Sequence, residues 1–215
     1  MNPLKQSFER RQFLKNAAAL SASFTGMMMF PSTGISNSYV QGPSLSIIGP
    51  RGGYSPYIGT LVSMMAWCRS AVELAVKGMT TEQLDFLLDD KANTIGGLLY
   101  HLAATDAYYH EHTFKNVEWG KFDSAIAKKF DVAMNLGDAG RKNIKGNNLD
   151  FYLTLLKETR EKTLSEFGKR DDKWLLSIDQ KWFWGPTNNY CKWFHVCEHE
   201  SHHQGQMALI KSRVK

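Results

Sequence analysis

Four of the seven histidines fall within nine residues: His195, His199, His202 and His203, in the stretch HVCEHESHHQGQ. The surrounding segment, Tyr190 to Arg213, has no proline, one glycine and good helix formers towards its end, which predicts a C-terminal helix. Histidines at i and i+4 on a helix lie about 6 Å apart on one face, close enough for two imidazoles to share a metal ion. The spacing occurs twice in overlap, as His195/His199 and His199/His203, and His199/His202 adds an i, i+3 pair. Such an ion could activate a bound water for attack on an electrophile. The plainer alternative is a solvated helix end, or core histidines satisfied by hydrogen bonds.

A helical wheel separates the pairs. With His199 at zero, Ile210, Val196 and Met207 fall between roughly 20° and 80°, marking that arc as the buried face. His203 lies inside it at about 40°, whereas His195 and His202 lie towards its edge at about 320° and 300°. The best pair is His199 and His203. Glu198 and Glu200, at about 260° and 100°, fall outside the arc, so neither receives a role, although with Gln206 they are the nearest acid/base or supporting groups.

A third ligand must come from another element. The pattern predicts a long helix from Thr94 to Phe114 in which Leu98, His101, Leu102, Thr105, Tyr108, Tyr109 and His112 share a face. His101 sits centrally in that stripe, where an imidazole needs a hydrogen bond or a metal to offset burial. His112 lies three turns further, about 16 Å along the axis, too far to share an ion with His101. His110 falls off the stripe and is expected in solvent. Three histidine ligands with an open position suit a catalytic ion, whereas a structural zinc is normally closed by four.

The remaining elements follow from caps and periodicity. Ser55-Pro56 starts a helix that ends at Gly78. Thr80 to Gln83 form a capping box for a short helix to about Leu88. A short helix is expected near Ser124 to Met134, and Gly137 to Gly140 and Lys145 to Asn148 read as loops. A third long helix spans Leu149 to Phe167 between Asn148 and Gly168, with apolar residues on one face and charged residues on the other. Lys181 to Trp184 read as a strand or hairpin arm whose aromatics plug one end of the fold rather than form a substrate platform. The predicted fold is all-α: an antiparallel four-helix bundle over residues 56–215, with a short aromatic hairpin or loop before the last helix.

Ahead of the bundle, Arg10-Arg11-Gln12-Phe13-Leu14-Lys15 precedes an uncharged apolar stretch to Phe30. This resembles a twin-arginine export signal, with Glu9 as its one departure, and implies an exported, periplasmic or extracytoplasmic protein. No clean cleavage motif follows. Residues 1–40 are thus read as signal and start of linker, and 41–55 as linker without stable structure before Ser55. The net charge is +5, but Lys5, Arg10, Arg11 and Lys15 against Glu9 place +3 of it in the first 38 residues and leave +2 for the rest. That offers no basic footprint for nucleic acid. Cys68, Cys191 and Cys197 form no C-x-x-C motif and are expected to be buried and inert.

The string Gly-Leu-Leu-Tyr-His101-Leu, with His199-Glu200-Ser201-His202-His203-Gln204-Gly205-Gln206, resembles the DinB-like superfamily of metal-binding four-helix bundles over about Pro56 to Lys211. That superfamily includes YfiT-like hydrolases and thiol S-transferases. The resemblance implies metal ligands at His101, His199 and His203, the trio selected by the wheel. Gln204 stands where the family often has arginine. The expected cofactor is a divalent ion, zinc or nickel. The expected partners are a small-molecule substrate, the twin-arginine machinery and, as a homodimer, a second copy. A hydrolase or thiol transferase is the favoured reading. The competing one is a non-catalytic bundle in which the metal ties helices together or the cleft only binds a ligand.

Overall fold

The structure is a computed structural model that describes residues 44–214. Residues 1–40, read from the sequence as an export signal and the start of a linker, lie outside this range. Eight helices and a two-stranded hairpin follow in order: α1 (Pro56–Val76), α2 (Thr81–Leu84), α3 (Ile95–Lys115), α4 (Ser124–Asn135), α5 (Gly137–Asn143), α6 (Leu149–Phe167), α7 (Asp172–Leu176), β1 (Ile178–Asp179), β2 (Thr187–Asn188) and α8 (Asn189–Lys211). The four long helices α1, α3, α6 and α8 form the bundle. Among the described helices, none is long and apolar enough to cross a membrane.

The contacts fix the helix directions. Tyr57 at the start of α1 stacks on Tyr190 at the start of α8, and Lys211 at the end of α8 donates to the Ala75 carbonyl at the end of α1. These two helices therefore run parallel. Trp193 Nε1 near the start of α8 donates to Thr113 Oγ1 near the end of α3, so α8 and α3 are antiparallel. Gly96 approaches Tyr152 where α3 and α6 begin, and Phe114 packs on Phe167 where they end, so this pair is parallel. The bundle runs up, down, down, up. Joining the parallel α3 and α6 takes a long crossover rather than a turn. Residues 116–148 supply it, and α4 packs on α3 as it passes.

That crossover changes the reading of two segments. Gly137 to Gly140, expected as a loop, begin α5; Gly137 adopts φ +61°, which only glycine takes freely, and so lets the chain turn between α4 and α5. With α4, α6 and α8 around it, α3 is buried on nearly every side. His110, expected in solvent, is therefore half-buried, and its Nδ1 has no partner among the described residues.

The capping box of Thr80 and Gln83 and the Asn148 cap of α6 hold as the sequence placed them, and Thr94 caps α3 and Asn188 caps α8 in the same way. The start of α1 is different. Ser55 makes no side-chain cap; its hydroxyl donates instead to Asp172 Oδ1, which also accepts the Tyr57 and Ile58 amides. A carboxylate from α7 thus satisfies the first turn of α1. Residues 44–55 lack helix or strand but are tied down: Gly49 N donates to Ser63 Oγ, and the Arg51 backbone sits so close to Gly59 that a Cβ there would meet it at 2.4 Å. The expectation of no stable structure before Ser55 is corrected to that extent.

Lys181 to Trp184, read as a strand or hairpin arm, lie in the loop of a hairpin whose strands β1 and β2 pair antiparallel with Ile178 opposite Asn188 and Asp179 opposite Thr187. Trp182 alone is plugged into the end core, beside Tyr109, Phe114, Phe167 and Trp193. The expectation of buried cysteines holds for Cys197; Cys68 is half-buried and Cys191 exposed.

Candidate metal centre

His101 on α3 and His199 and His203 on α8 converge. His101 Nε2 lies 2.8 Å and His203 Nε2 3.1 Å from His199 Nε2, and one ligand atom from each histidine falls within 4.8 Å of the others. The i, i+4 spacing stacks the α8 pair on one face, and the antiparallel α3 brings His101 across to meet it.

The far nitrogens are engaged too. His101 Nδ1 donates to the Ala133 carbonyl, and His203 Nδ1 lies 2.8 Å from Gln206 Oε1. A carbonyl oxygen only accepts, so the neutral tautomer of each ring leaves Nε2 with a bare lone pair. This is how metal-ligating histidines are oriented: the other ring nitrogen is held by a carbonyl or a side chain. Ala133 belongs to α4, which gives the crossover a part in the site. Three imidazole nitrogens at tetrahedral positions around zinc would stand about 3.4 Å apart, given Zn–N of about 2.0–2.1 Å. The two short separations found here, 2.8 and 3.1 Å, fall somewhat inside that distance, so small ring shifts would admit an ion. The cluster is compatible with a divalent ion.

All three rings are biased to the neutral form that a metal needs. Burial, reinforced by His203, lowers His101 to about 4. Burial and the neighbouring histidines lower His199 to about 3, and His203 is lowered by burial as well. In the metal-free protein this has a signed consequence. The unfolded chain takes up protons near pH 6.5, whereas folded His101 and His199 resist until about 4 and about 3. Between those values the unfolded state binds more protons, so the stability contributed by the neutral rings is complete above pH 6.5 and falls as pH drops towards 4. Denaturant unfolding from pH 7.5 to 4 should show this decline, and replacing His101 with glutamine should flatten it. An unchanged slope in that variant would contradict the assignment.

The family model described as mycothiol-S-transferase matches residues 60–215, which include all three histidines. The chain belongs to the mycothiol-S-transferase family. The fold has solved counterparts. A conserved protein of Enterococcus faecalis superposes with a TM-score of 0.55 at 12% identity, covering 70% of this chain and 92% of that one. TT2238, described as a four-helix bundle protein, gives 0.49 at 17% identity, covering 71% and 98%. No curated protein matches the sequence.

In this member of the mycothiol-S-transferase family, the other histidines stand apart from the trio. His202 is exposed. His195 Nδ1 pairs with Glu198 Oε1 at 2.9 Å, and its ring lies 5.3 Å from that of His199 and 4.9 Å from the Trp184 indole. His112 belongs to another cluster: its Nδ1 donates to the Val117 carbonyl, and its Nε2 accepts from Lys192, which also donates to Asp179 and lies 4.4 Å from the centre of the Trp182 ring.

Beside the trio lies a polar cluster that the sequence reading missed. Arg69, Asp106, Arg160 and Glu200, one from each long helix, meet in the bundle centre and are all buried. Arg69 and Arg160 converge on Glu200 Oε1, each with a contact of 2.6 Å, and on Asp106 Oδ2 at 3.2 and 3.0 Å. Arg69 also donates to the Leu156 carbonyl and Arg160 to that of Met65. Asp106 Oδ1 and Glu200 Oε2 have no partner among the described residues. Glu200, which the wheel left without a role, adjoins His199 in the chain and pins the face of α8 opposite to solvent, so it supports the site mechanically.

Proposed function

We propose that the protein is a metal-dependent thiol S-transferase whose divalent ion, zinc or nickel, is held by His101, His199 and His203. The observation that carries this reading is the convergence of three histidine Nε2 atoms in a chain of the mycothiol-S-transferase family. Among the described residues the metal-binding group stops at three, which leaves the position that a substrate needs. When bound, the ion supplies Lewis acidity that favours a coordinated thiolate over the thiol. The chain's own residues fix that geometry: Ala133 holds the His101 ring, Gln206 the His203 ring, and the arginine–carboxylate cluster the backbone beside His199. In the reaction the thiolate sulfur forms a bond to an electrophilic carbon. The bond from that carbon to its leaving atom breaks, and the leaving atom takes the proton that the thiol gave up.

Protein loaded with zinc or nickel should join a small thiol such as mycothiol to an epoxide faster than the two react alone, and chelation should abolish the gain. Equal rates with and without loaded protein would remove the thiol-transferase reading. Hydrolysis of the epoxide with no thioether formed would favour a hydrolase instead.

We also propose export, on the strength of Arg10-Arg11 in RRQFLK ahead of an apolar stretch. Changing both arginines to lysine should hold the full-length chain in the cytoplasm of a cell with twin-arginine transport. Undiminished export of that variant removes the proposal.

A further inference from the structure

Two large aromatic side chains stand uncovered on the loop that precedes the histidine-bearing helix α8. Phe183 is 61% and Trp184 47% exposed, on the loop between β1 and β2. Their neighbour Trp182 is buried and holds the loop in place. It packs on Phe183 at 4.2 Å and on Trp184 at 5.5 Å, edge to face, and lies under the Lys192 ammonium. Lys192, itself buried, reaches Asp179 on β1, and Gly185 closes the loop with φ +93° and a hydrogen bond from its N–H to the Trp182 carbonyl. The loop is therefore a firm mount. Trp184 is not needed to seal the core, because Trp182 already does so.

The position of Trp184 gives it a use. Its indole meets His195 edge to face at 4.9 Å, and His195 lies 5.3 Å from His199. A half-exposed indole, separated from a ligand of the proposed ion by the His195 ring alone, offers an apolar surface near that ion. Aromatic rings bind other aromatic or apolar groups by contact area and by offset or edge geometry. A small polar thiol gains little from such a wall, whereas the body of an apolar electrophile gains both contact and orientation.

We propose that Trp184, with Phe183 beside it, sets specificity for an electrophile with an aromatic or apolar body, and holds that body while its reactive carbon faces the thiolate. This rests on the thiol-transfer reading. Two epoxides with the same reacting group separate the two ideas. Thiol addition to either forms a carbon–sulfur bond, breaks a carbon–oxygen bond of the ring and protonates the released alkoxide. Styrene oxide carries a phenyl ring, and propene oxide only a methyl.

In the zinc-loaded protein, Trp184→Ala should raise KM for styrene oxide about tenfold more than KM for propene oxide, the size expected for one lost aromatic contact with its burial. The kcat should fall much less than KM rises. Trp184→Phe should recover most of the loss. Trp67→Ala, which removes an equally exposed indole on the outer side of α1, should leave both substrates within twofold of the original protein. Binding is read without turnover by nuclear magnetic resonance titration of the unreactive 1-phenyl-1,2-ethanediol, which should bind the original protein and fail to bind Trp184→Ala. If neither epoxide is turned over but the diol binds through Trp184, the thiol-transfer reading falls and the wall stands. If both epoxides react and Trp184→Ala leaves their KM ratio unchanged, transfer stands and the wall is overturned. Absence of diol binding to the original protein also overturns it.

Discussion

Alanine at any one of His101, His199 or His203 is expected to abolish stoichiometric metal binding. Losing one imidazole leaves two ligands for an ion that needs at least three from the protein. The cost should exceed the roughly 10–100-fold that follows loss of a group supporting a ligand. Gln206→Ala, which frees His203 Nδ1, should fall in that smaller range. His112→Ala, His195→Ala and His202→Ala should keep the metal, since His112 is committed to Lys192, His195 to Glu198 and His202 faces solvent. Elemental analysis of the folded variants after dialysis against zinc decides the matter. Retention of one equivalent of metal by His101→Ala would sink the three-histidine assignment, and so would its loss from His195→Ala.

The second large effect concerns the polar cluster. Glu200→Ala should lower unfolding stability by about 3–5 kcal/mol, because Arg69 and Arg160 would be left buried in the bundle centre with one carboxylate between them. Asp106→Ala should cost a comparable amount. Denaturant midpoints should shift while the slope with denaturant stays constant. A loss under about 1 kcal/mol would mean that water reaches these charges and that they are not the anchor described. The cluster is an expensive way to join four helices. What it specifies is register: two planar guanidinium groups can donate to the two carboxylates in few arrangements, and so fix the height of each helix against the others. Because Glu200 follows His199, that register also sets the height of the metal ligands.

The histidine trio and most helix limits were legible because their signals are local. Spacing along one helix places His199 and His203, and the caps at Thr80, Thr94, Asn148 and Asn188 are statements about the next three residues. The charged cluster was not legible for the opposite reason. Arg160 on α6 reads as part of a solvated charged face, and it is buried only because Asp106 and Glu200 arrive from other helices. A sign was present: Arg69 lies between Met65 and Val72 on the apolar side of α1, and both neighbours are core residues. Glu200 was set aside because the buried arc of α8 was drawn from three apolar residues alone, although α8 packs on α1 as well as α3 and so buries a wider arc. His110 and the α5 glycines were misjudged because the crossover covers α3, and nothing in the local pattern announces where a crossover will lie.

The partners of α8 lie far back in the chain. His199 meets His101 across 98 residues, and Glu200 meets Arg69 across 131. Closing loops of this length is entropically costly and comes late in folding. During synthesis, α1, α3 and α6 emerge first and can gather, but they hold Arg69, Asp106 and Arg160 with one acid for two bases, and one imidazole where three are needed. Only when the final helix leaves the ribosome do charge balance and ligand set become complete together. Under the proposed assignment, metal capture is then a late event in the life of the nascent chain, and a premature stop before residue 199 yields a polypeptide that can neither neutralise its own interior nor assemble the three histidines.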